Sequence, residues 1–353
     1  MSSVKLAVVG LGRIGVVHAA NAARLAAETE NCEFTALVEA DAARAHAVAP
    51  VGVRVFPSVE ALLEAGAANA AIVCTPTELH AAHAGALIRG GVRVLLEKPM
   101  TESLAKDRAF AAELDAHHPE GLMLAFQRRF DAPLRHVKEL IEQNAVGRVF
   151  KITSMLEDSG PAPVGYRSGG LLQDMSVHNV DEILWLTGQM PVRAASGGSR
   201  LYGHRLRASE DVYDDGFLWL WFRDELLGHI QVSRNHVSGY RIETWVFGEE
   251  GQIHMGRFEQ NKREVLVEVY GRSERHGPVS RRAFAMPEAA ADAPEFVPRF
   301  GPAYLEEARV FVECCREGRP FPVNHHDGIR AMEVIEAALR VSLTAEKGAP
   351  VSG

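Results

Sequence analysis

Short, mostly apolar runs recur over the first 126 residues, and stretches with helical spacing separate them. Val4–Val9 is the first run and leads into an Ala-rich helical stretch that continues to about Thr29. Phe34–Val38, Ala70–Cys74, Val92–Leu96 and Leu122–Phe126 follow. One helical stretch ends near Ile88, and another runs from Glu102 to about His117. Strands covered on both faces read as near-continuous apolar runs, and their alternation with helices implies a parallel, doubly wound sheet.

The pattern then changes. A strand opens at Gly147 and ends near Met155, and a loop rich in Gly and Pro spans Ser159 to Gly170. Leu171–Leu186 has helical spacing, with Gly188 as its stop. Phe217–Phe222, Leu227–Ser233, Tyr240–Phe247 and Glu264–Tyr270 alternate and read as a largely antiparallel sheet. One of its faces should pack on helices, and the other is available to pair with another subunit, so a homodimer or homotetramer is expected. Pro278–Pro302 is a breaker-rich connection expected to lie over a site. A helix through Cys315 and a last one over about Gly328–Ala345 complete the chain.

Composition narrows the class of function. The formal charge of −8 over 353 residues is spread along the chain and favours neither nucleic acid nor an anionic membrane. Cys32, Cys74, Cys314 and Cys315 lack metal-ligand spacing, so no metal is expected, and they read as reduced thiols of a cytoplasmic protein. No apolar run reaches membrane-spanning length, and the first strand begins too early to leave room for a signal peptide.

Between the first strand and its helix lies Gly10-Leu11-Gly12-Arg13-Ile14-Gly15. The glycines supply a tight turn, a close approach to a pyrophosphate and helix-on-strand packing, and the helix start offers amides to phosphate. Glu39 ends the second strand where a ribose-binding carboxylate belongs. It accepts from both hydroxyls and repels a 2′-phosphate, which favours NAD over NADP. Residues 1–126 are therefore expected to form an NAD-binding Rossmann domain. Residues 127–353 are expected to form an α+β domain for substrate binding and oligomerisation.

Thr75, Pro76 and His80 follow the strand Ala70–Cys74. His80 either lines the nicotinamide side or is a helix-start residue. Glu97, Lys98 and Pro99 close the strand Val92–Leu96, where Lys98 reaches a substrate oxygen or forms a solvated pair with Glu97. Arg128 and Arg129 read as a phosphate site or a domain-junction ion pair, and Asp158 as an acceptor for substrate hydroxyls or a carboxylate facing water. Asp174 and His178, four apart on a helix, share one face. Tyr240 precedes a sheet strand.

The three segments Gly10–Gly15, Thr75-Pro76-Thr77-Glu78-Leu79-His80 and Glu97-Lys98-Pro99 resemble the N-terminal domain of the glucose–fructose oxidoreductase/inositol dehydrogenase (Gfo/Idh/MocA) family. The resemblance spans nearly the whole chain. It implies a cis peptide before Pro99 and contact of Lys98 with substrate and nicotinamide. It also implies Arg128 beside the substrate pocket, the Asp174–His178 helix over the nicotinamide, and an approach of Tyr240 to substrate. His178 would then be general base, with Lys98 and Asp174 beside it in catalysis.

Within the family, the arginine pair and the Ser168-Gly169-Gly170, Asp174-Met175, His178 pattern are most similar to myo-inositol 2-dehydrogenases. Three departures stand out. Glu157-Asp158-Ser159 occurs where Arg-Asp-Pro is frequent, His178-Asn179 replaces His-Asp, and Gly239-Tyr240-Arg241 replaces Gly-Tyr-Asp. Oxidation of a secondary hydroxyl on a cyclic polyol or sugar is the expected reaction. Alternatives are an aldose or sugar-derivative dehydrogenase, an NADP-linked reductase, and a non-catalytic dinucleotide-binding sensor.

Overall fold

A computed structural model describes residues 3–160, 170–199, 213–256, 263–273, 277–288 and 293–343. Ser168, Gly169 and the end of the last expected helix lie outside them. The chain divides into two compact units. One comprises Met1–Phe130 with Phe300–Ile329, and the other Asp131–Arg299 with Arg330–Gly353.

The first unit runs β1 (Val4–Val9), α1 (Arg13–Glu28), β2 (Cys32–Val38), α2 (Ala42–Val48), β3 (Arg54–Phe56), α3 (Val59–Glu64), β4 (Ala70–Val73), α4 (His80–Arg89), β5 (Arg93–Glu97), α5 (Leu104–His117) and β6 (Leu122–Ala125). Its strands are parallel in the order β3-β2-β1-β4-β5-β6. Leu6, Val8, Ile72, Leu95 and Leu124 are buried in it, as near-continuous apolar runs require. The doubly wound sheet is therefore present. The short α2, β3 and α3 are additions that the apolar runs did not disclose.

The second unit contains α6 (Ala132–Glu142), β7 (Val149–Glu157), α7 (Leu171–Thr187), β8 (Arg193–Ser199), β9 (Asp215–Trp221), β10 (Leu227–Ser233), β11 (Arg241–Gly248), β12 (Gly251–Met255), β13 (Glu264–Gly271) and β14 (Ser280–Ala285). α8 (Phe296–Glu317) and α9 (His325–Arg340) follow, and then β15 (Ser342–Leu343). The sheet order is β14-β13-β12-β11-β7-β10-β9-β8-β15. It is mostly antiparallel, but β7 pairs with β10, and β8 with β15, in parallel. α7 packs on β7, β9 and β10, while α6 packs on β12 and β13.

Ile152, Leu218, Ile230 and Val246 point to the buried side of this sheet. Residues in alternation with them on the other face include Trp219, Arg241, Glu243, Trp245 and Phe247. Trp245 stacks on His254 with centroids 4.0 Å apart. Burial resists ionisation of Glu243, but His254 and Arg241 beside it prevail and hold its carboxyl down to about 2. Part of the expected connection over a site, Ser280–Ala285, is instead β14, paired with β13 at the sheet's edge.

The expected boundary after residue 126 differs from the observed division, because Phe300–Ile329 returns to the first unit. Polar contacts distant in sequence hold this segment. The Arg93 guanidinium lies 3.8 Å from the Phe321 ring centroid and donates to the carbonyls of Cys314 at 2.6 Å and Arg319 at 2.7 Å. Arg129 pairs with Asp327 at 2.9 Å, which fixes the junction arginine as an ion pair. The imidazoles of His325 and His326 both face one oxygen of Asp115, at 2.8 and 3.1 Å.

Arg93→Ala should lower stability by about 2 kcal/mol, because charged bonds to two carbonyls are lost together with the ring contact. Urea unfolding measures this, and an unchanged curve would show that Arg93 does not hold the returning segment.

Candidate active site

In the first unit β1, β4 and β5 are adjacent and parallel, so the segments leaving their carboxyl ends emerge along one edge. Successive strands run outward in opposite directions from the β1/β4 boundary, and open α/β sheets bind ligands at such a point. Gly10 has φ +87°, a left-handed value that suits glycine. A Cβ on Gly15 would stand 2.0 Å from the Gly10 carbonyl oxygen, so only glycine lets α1 lie this close to the turn. A Cβ on Gly12 would meet nothing within 4 Å, and no side chain caps α1 at this residue. The glycine loop and the start of α1, with Arg13 and Ile14, therefore fit an approaching pyrophosphate.

Glu39 stands beside the same loop. Its Oε2 accepts from the Leu11 amide at 2.9 Å and its Oε1 from the Asp41 amide at 3.1 Å. Beyond it opens a cleft of about 450 Å³ lined by Glu39, His46, Pro50, Val53 and Pro57 among others. A fixed carboxylate bordering a partly apolar cleft fits the adenosine end of NAD.

Lys98 follows β5 and is half-buried, and its peptide bond to Pro99 is cis. Glu97 is turned inward. Its Oε1 lies 3.0 Å from Nε2 of the fully buried His18 on α1, and its Oε2 accepts from the Lys98 amide at 3.2 Å. Edge-to-face contact with Tyr304, at 5.7 Å, backs His18. Glu97 thus braces Lys98 from within the fold, in a place where a direct cofactor contact was expected.

His80 is likewise internal, at 2% exposure. Its two ring nitrogens each lie 2.8 Å from a carbonyl oxygen, Nδ1 from Pro99 and Nε2 from Thr75. His83 lies 3.2 Å from the Thr75 hydroxyl. Arg128, expected beside substrate, is buried in this unit with its guanidinium 5.6 Å from the Phe300 ring centroid.

In the second unit Gly170 and Gly188, both with positive φ, bound α7. Asp174 lies in its first turn, and His178, half-buried, lies one turn further on. The sequence reading missed Arg234, which directly follows β10 and is buried. Its Nη2 donates to Asp174 Oδ2 at 2.9 Å. Asp158 leaves β7 beside this point, its amide donating to the Ser233 carbonyl at 2.8 Å and its carbonyl accepting from the His236 amide at 3.0 Å. Hence Asp158, Asp174 and Arg234 gather at the parallel ends of β7 and β10.

Tyr240 precedes β11 and bears on Arg299, whose guanidinium grips Asp131 through two bonds of 2.6 and 2.7 Å. Burial works against that arginine's charge, but Asp131 outweighs it and raises its pKa. Arg234 and His18 left faint signals. Arg234 directly follows an alternating strand as Lys98 follows an apolar one, and His18 sits three residues after Gly15, on the same side of the helix.

Gly12→Ala should leave thermal stability nearly unchanged while weakening NAD binding, because its Cβ occupies the pyrophosphate approach. Gly15→Ala should lower stability itself, because its Cβ collides with backbone. Melting curves and NADH titration separate the two, and equal effects on both properties would contradict these roles.

Residues 4–120 match the family model described as "Oxidoreductase family, NAD-binding Rossmann fold" (GFO_IDH_MocA), and residues 134–254 match the GFO/IDH/MocA C-terminal domain. The chain is 27% identical over 345 residues to an inositol 2-dehydrogenase of Rhizobium meliloti (strain 1021), covering 96% of each. It is 30% identical over 335 residues to a myo-inositol 2-dehydrogenase of Thermotoga maritima, covering 93% of each. The structure superposes on apo scyllo-inositol dehydrogenase from Lactobacillus casei with TM-score 0.78 at 25% identity, covering 97% of each chain. The glycine loop, Glu39, the turn carrying Lys98 and the helix of Asp174 and His178 thus stand in a chain that belongs to the Gfo/Idh/MocA family of NAD-binding oxidoreductases.

Proposed function

We propose that this protein is an NAD-dependent dehydrogenase that oxidises a ring hydroxyl of an inositol. The observation that carries this reading is the placement of Asp174 in the first turn of α7 and His178 one turn further on. They occur in a chain whose β5 is followed directly by Lys98 and whose relatives, matched over nearly their whole length, are named inositol 2-dehydrogenases.

His178 takes the hydroxyl proton, as an imidazole ordinarily titrating near neutrality can. Lys98 donates to the same oxygen and stabilises the negative charge that develops on it. Asp174, oriented by Arg234, accepts from a neighbouring ring hydroxyl. NAD supplies the hydride acceptor. Glu39 favours NAD over NADP by repelling a 2′-phosphate.

The departures from the inositol-dehydrogenase pattern at Glu157, Asn179 and Arg241 are accommodated within the fold. Glu157 and Arg241 face each other across β7 and β11 and pair at 3.1 Å. A position that is often Arg now carries Glu, and a position that is often Asp now carries Arg. The sign is reversed on both sides of one pair, so no net charge is added. Asn179 points into the fold, its Nδ2 donating to Ser154 Oγ at 2.7 Å.

We further propose that two copies associate through the outer face of the large sheet, where Trp221 is 39% exposed and Trp219, Trp245 and Phe247 are half-buried. Light scattering should give a dimeric or tetrameric mass, and Trp245→Glu should reduce it. A monomeric wild type rejects this assembly.

NADH formation with myo-inositol, scyllo-inositol, glucose, xylose and galactose tests the reaction, with NADP in parallel. The expected result is inositol oxidation with NAD preferred. Lys98→Ala should lower turnover by about 10²–10³-fold, the scale for removing a donor to a developing oxyanion, while NADH still binds. Activity on an aldose alone would overturn the inositol reading, and near-normal turnover of Lys98→Ala would overturn the role of that lysine.

A further inference from the structure

Both nitrogens of the buried His80 ring face carbonyl oxygens at 2.8 Å, that of Thr75 after β4 and that of Pro99 after β5. A carbonyl oxygen only accepts, whereas a neutral imidazole offers one N–H and one lone pair. In the neutral ring one nitrogen therefore presents its lone pair to an oxygen at hydrogen-bond distance, and that contact is repulsive. Only a ring protonated on both nitrogens satisfies both carbonyls. The two carbonyls belong to the loop that carries Thr75-Pro76 and to the turn that carries Lys98.

We propose that His80 is a positioning residue for Lys98, clamping the Lys98–Pro99 turn to the loop after β4, and that the clamp closes fully only when both ring nitrogens carry protons. The link to turnover rests on the role given to Lys98 above.

The charge is finely opposed. Burial lowers the His80 pKa from its ordinary 6.5, while the two carbonyls and the Glu97 carboxylate raise it and His83, one turn along α4, lowers it again. Glu102 also faces this charge, and His80 contributes to lowering its pKa. Because the net shift is downward, His80 is neutral at pH 7.5 and holds one carbonyl. As pH falls below 6.5 and through the lowered value, the second bond forms.

Global stability moves in the opposite sense. The unfolded chain binds this proton more readily than the folded one, so acidification favours unfolding even as the clamp tightens. Local measurements are therefore the ones that report on it.

The test uses the full-length protein. ¹⁵N-histidine spectra from pH 8 down to the onset of acid unfolding, with His80 assigned by its loss in His80→Gln, should show one protonated nitrogen at the alkaline end and two once the pH has passed below the lowered pKa. Hydrogen exchange at the Lys98, Met100 and Thr101 amides, corrected for intrinsic rate, should slow by about threefold to tenfold across the same range, the worth of one hydrogen bond. In His80→Gln, whose amide reaches one carbonyl, that pH dependence should vanish. A ring protonated on one nitrogen throughout, or the same exchange profile in both proteins, overturns the clamp.

These readouts need no substrate, so they stand apart from any failure of the inositol reading. With a substrate in hand, His80→Ala should lower kcat by about 10- to 100-fold, the scale for a small misplacement of a catalytic group, with little change in KM for NAD. His80→Gln should restore most of kcat at pH 8. A closed clamp with wild-type kcat in His80→Ala would overturn the positioning of Lys98.

Discussion

The approach of α1 to the turn after β1 sets much of the first unit. With a virtual Cβ at Gly15 only 2.0 Å from the Gly10 oxygen, no other residue lets the helix lie so close. This proximity delivers the start of α1 to the sheet edge, where amides and dipole together favour phosphate. It also brings His18, one turn on, to within 3.0 Å of the carboxylate of Glu97. The other oxygen of that carboxylate receives the Lys98 amide. A steric constraint at a glycine thus reaches, through one imidazole and one carboxylate, the backbone of the lysine assigned to catalysis.

Buried or partly buried ionic contacts of this kind recur: Asp174 with Arg234, Asp131 with Arg299, Arg129 with Asp327, and Glu157 with Arg241. Their value lies in geometry more than in stability. Removing two charges from water costs several kcal/mol per ion, and attraction between the partners recovers that cost only with good hydrogen bonding. Arg299 meets the condition with two short bonds to Asp131, which also caps α6 by accepting from the Leu134 amide. Such pairs fix the direction of a side chain, and fixed direction is what a hydroxyl-binding site requires.

Legibility in the sequence follows the range over which each feature is encoded. The individual strands of the parallel sheet, the glycine turn, Glu39 after the second strand and Lys98 after the fifth are signals carried by short stretches of sequence taken in order. The helix of Asp174 and His178 is equally local, including its stop at Gly188. The short β12 and the Gly-rich β8 carry little alternation, so their place in the large sheet depends on neighbours distant in sequence. The return of Phe300–Ile329 depends on contacts such as Arg93 with Phe321, and no periodicity encodes them. His80 and Glu97 show the same limit, since residue type and position put them at the ligand edge and only their partners reveal that they face inward.

Arg234 has the largest consequence for the proposed substrate site. Its bond to Asp174 spans sixty residues of sequence and joins the first turn of α7 to the end of β10. The adjacent strand β7 delivers Asp158 to the same place through the pairing of Ser233 with Glu157. Two carboxylates and one guanidinium therefore sit on elements whose relative position the sheet register enforces. A ring polyol offers several equivalent hydroxyls, and choosing among them requires acceptors that do not turn to follow the ligand. A carboxylate held through one oxygen by a buried arginine, on a rigid helix, meets that requirement. With these acceptors binding the ring as proposed, regiochemistry should follow the register of β7 and β10 that holds them.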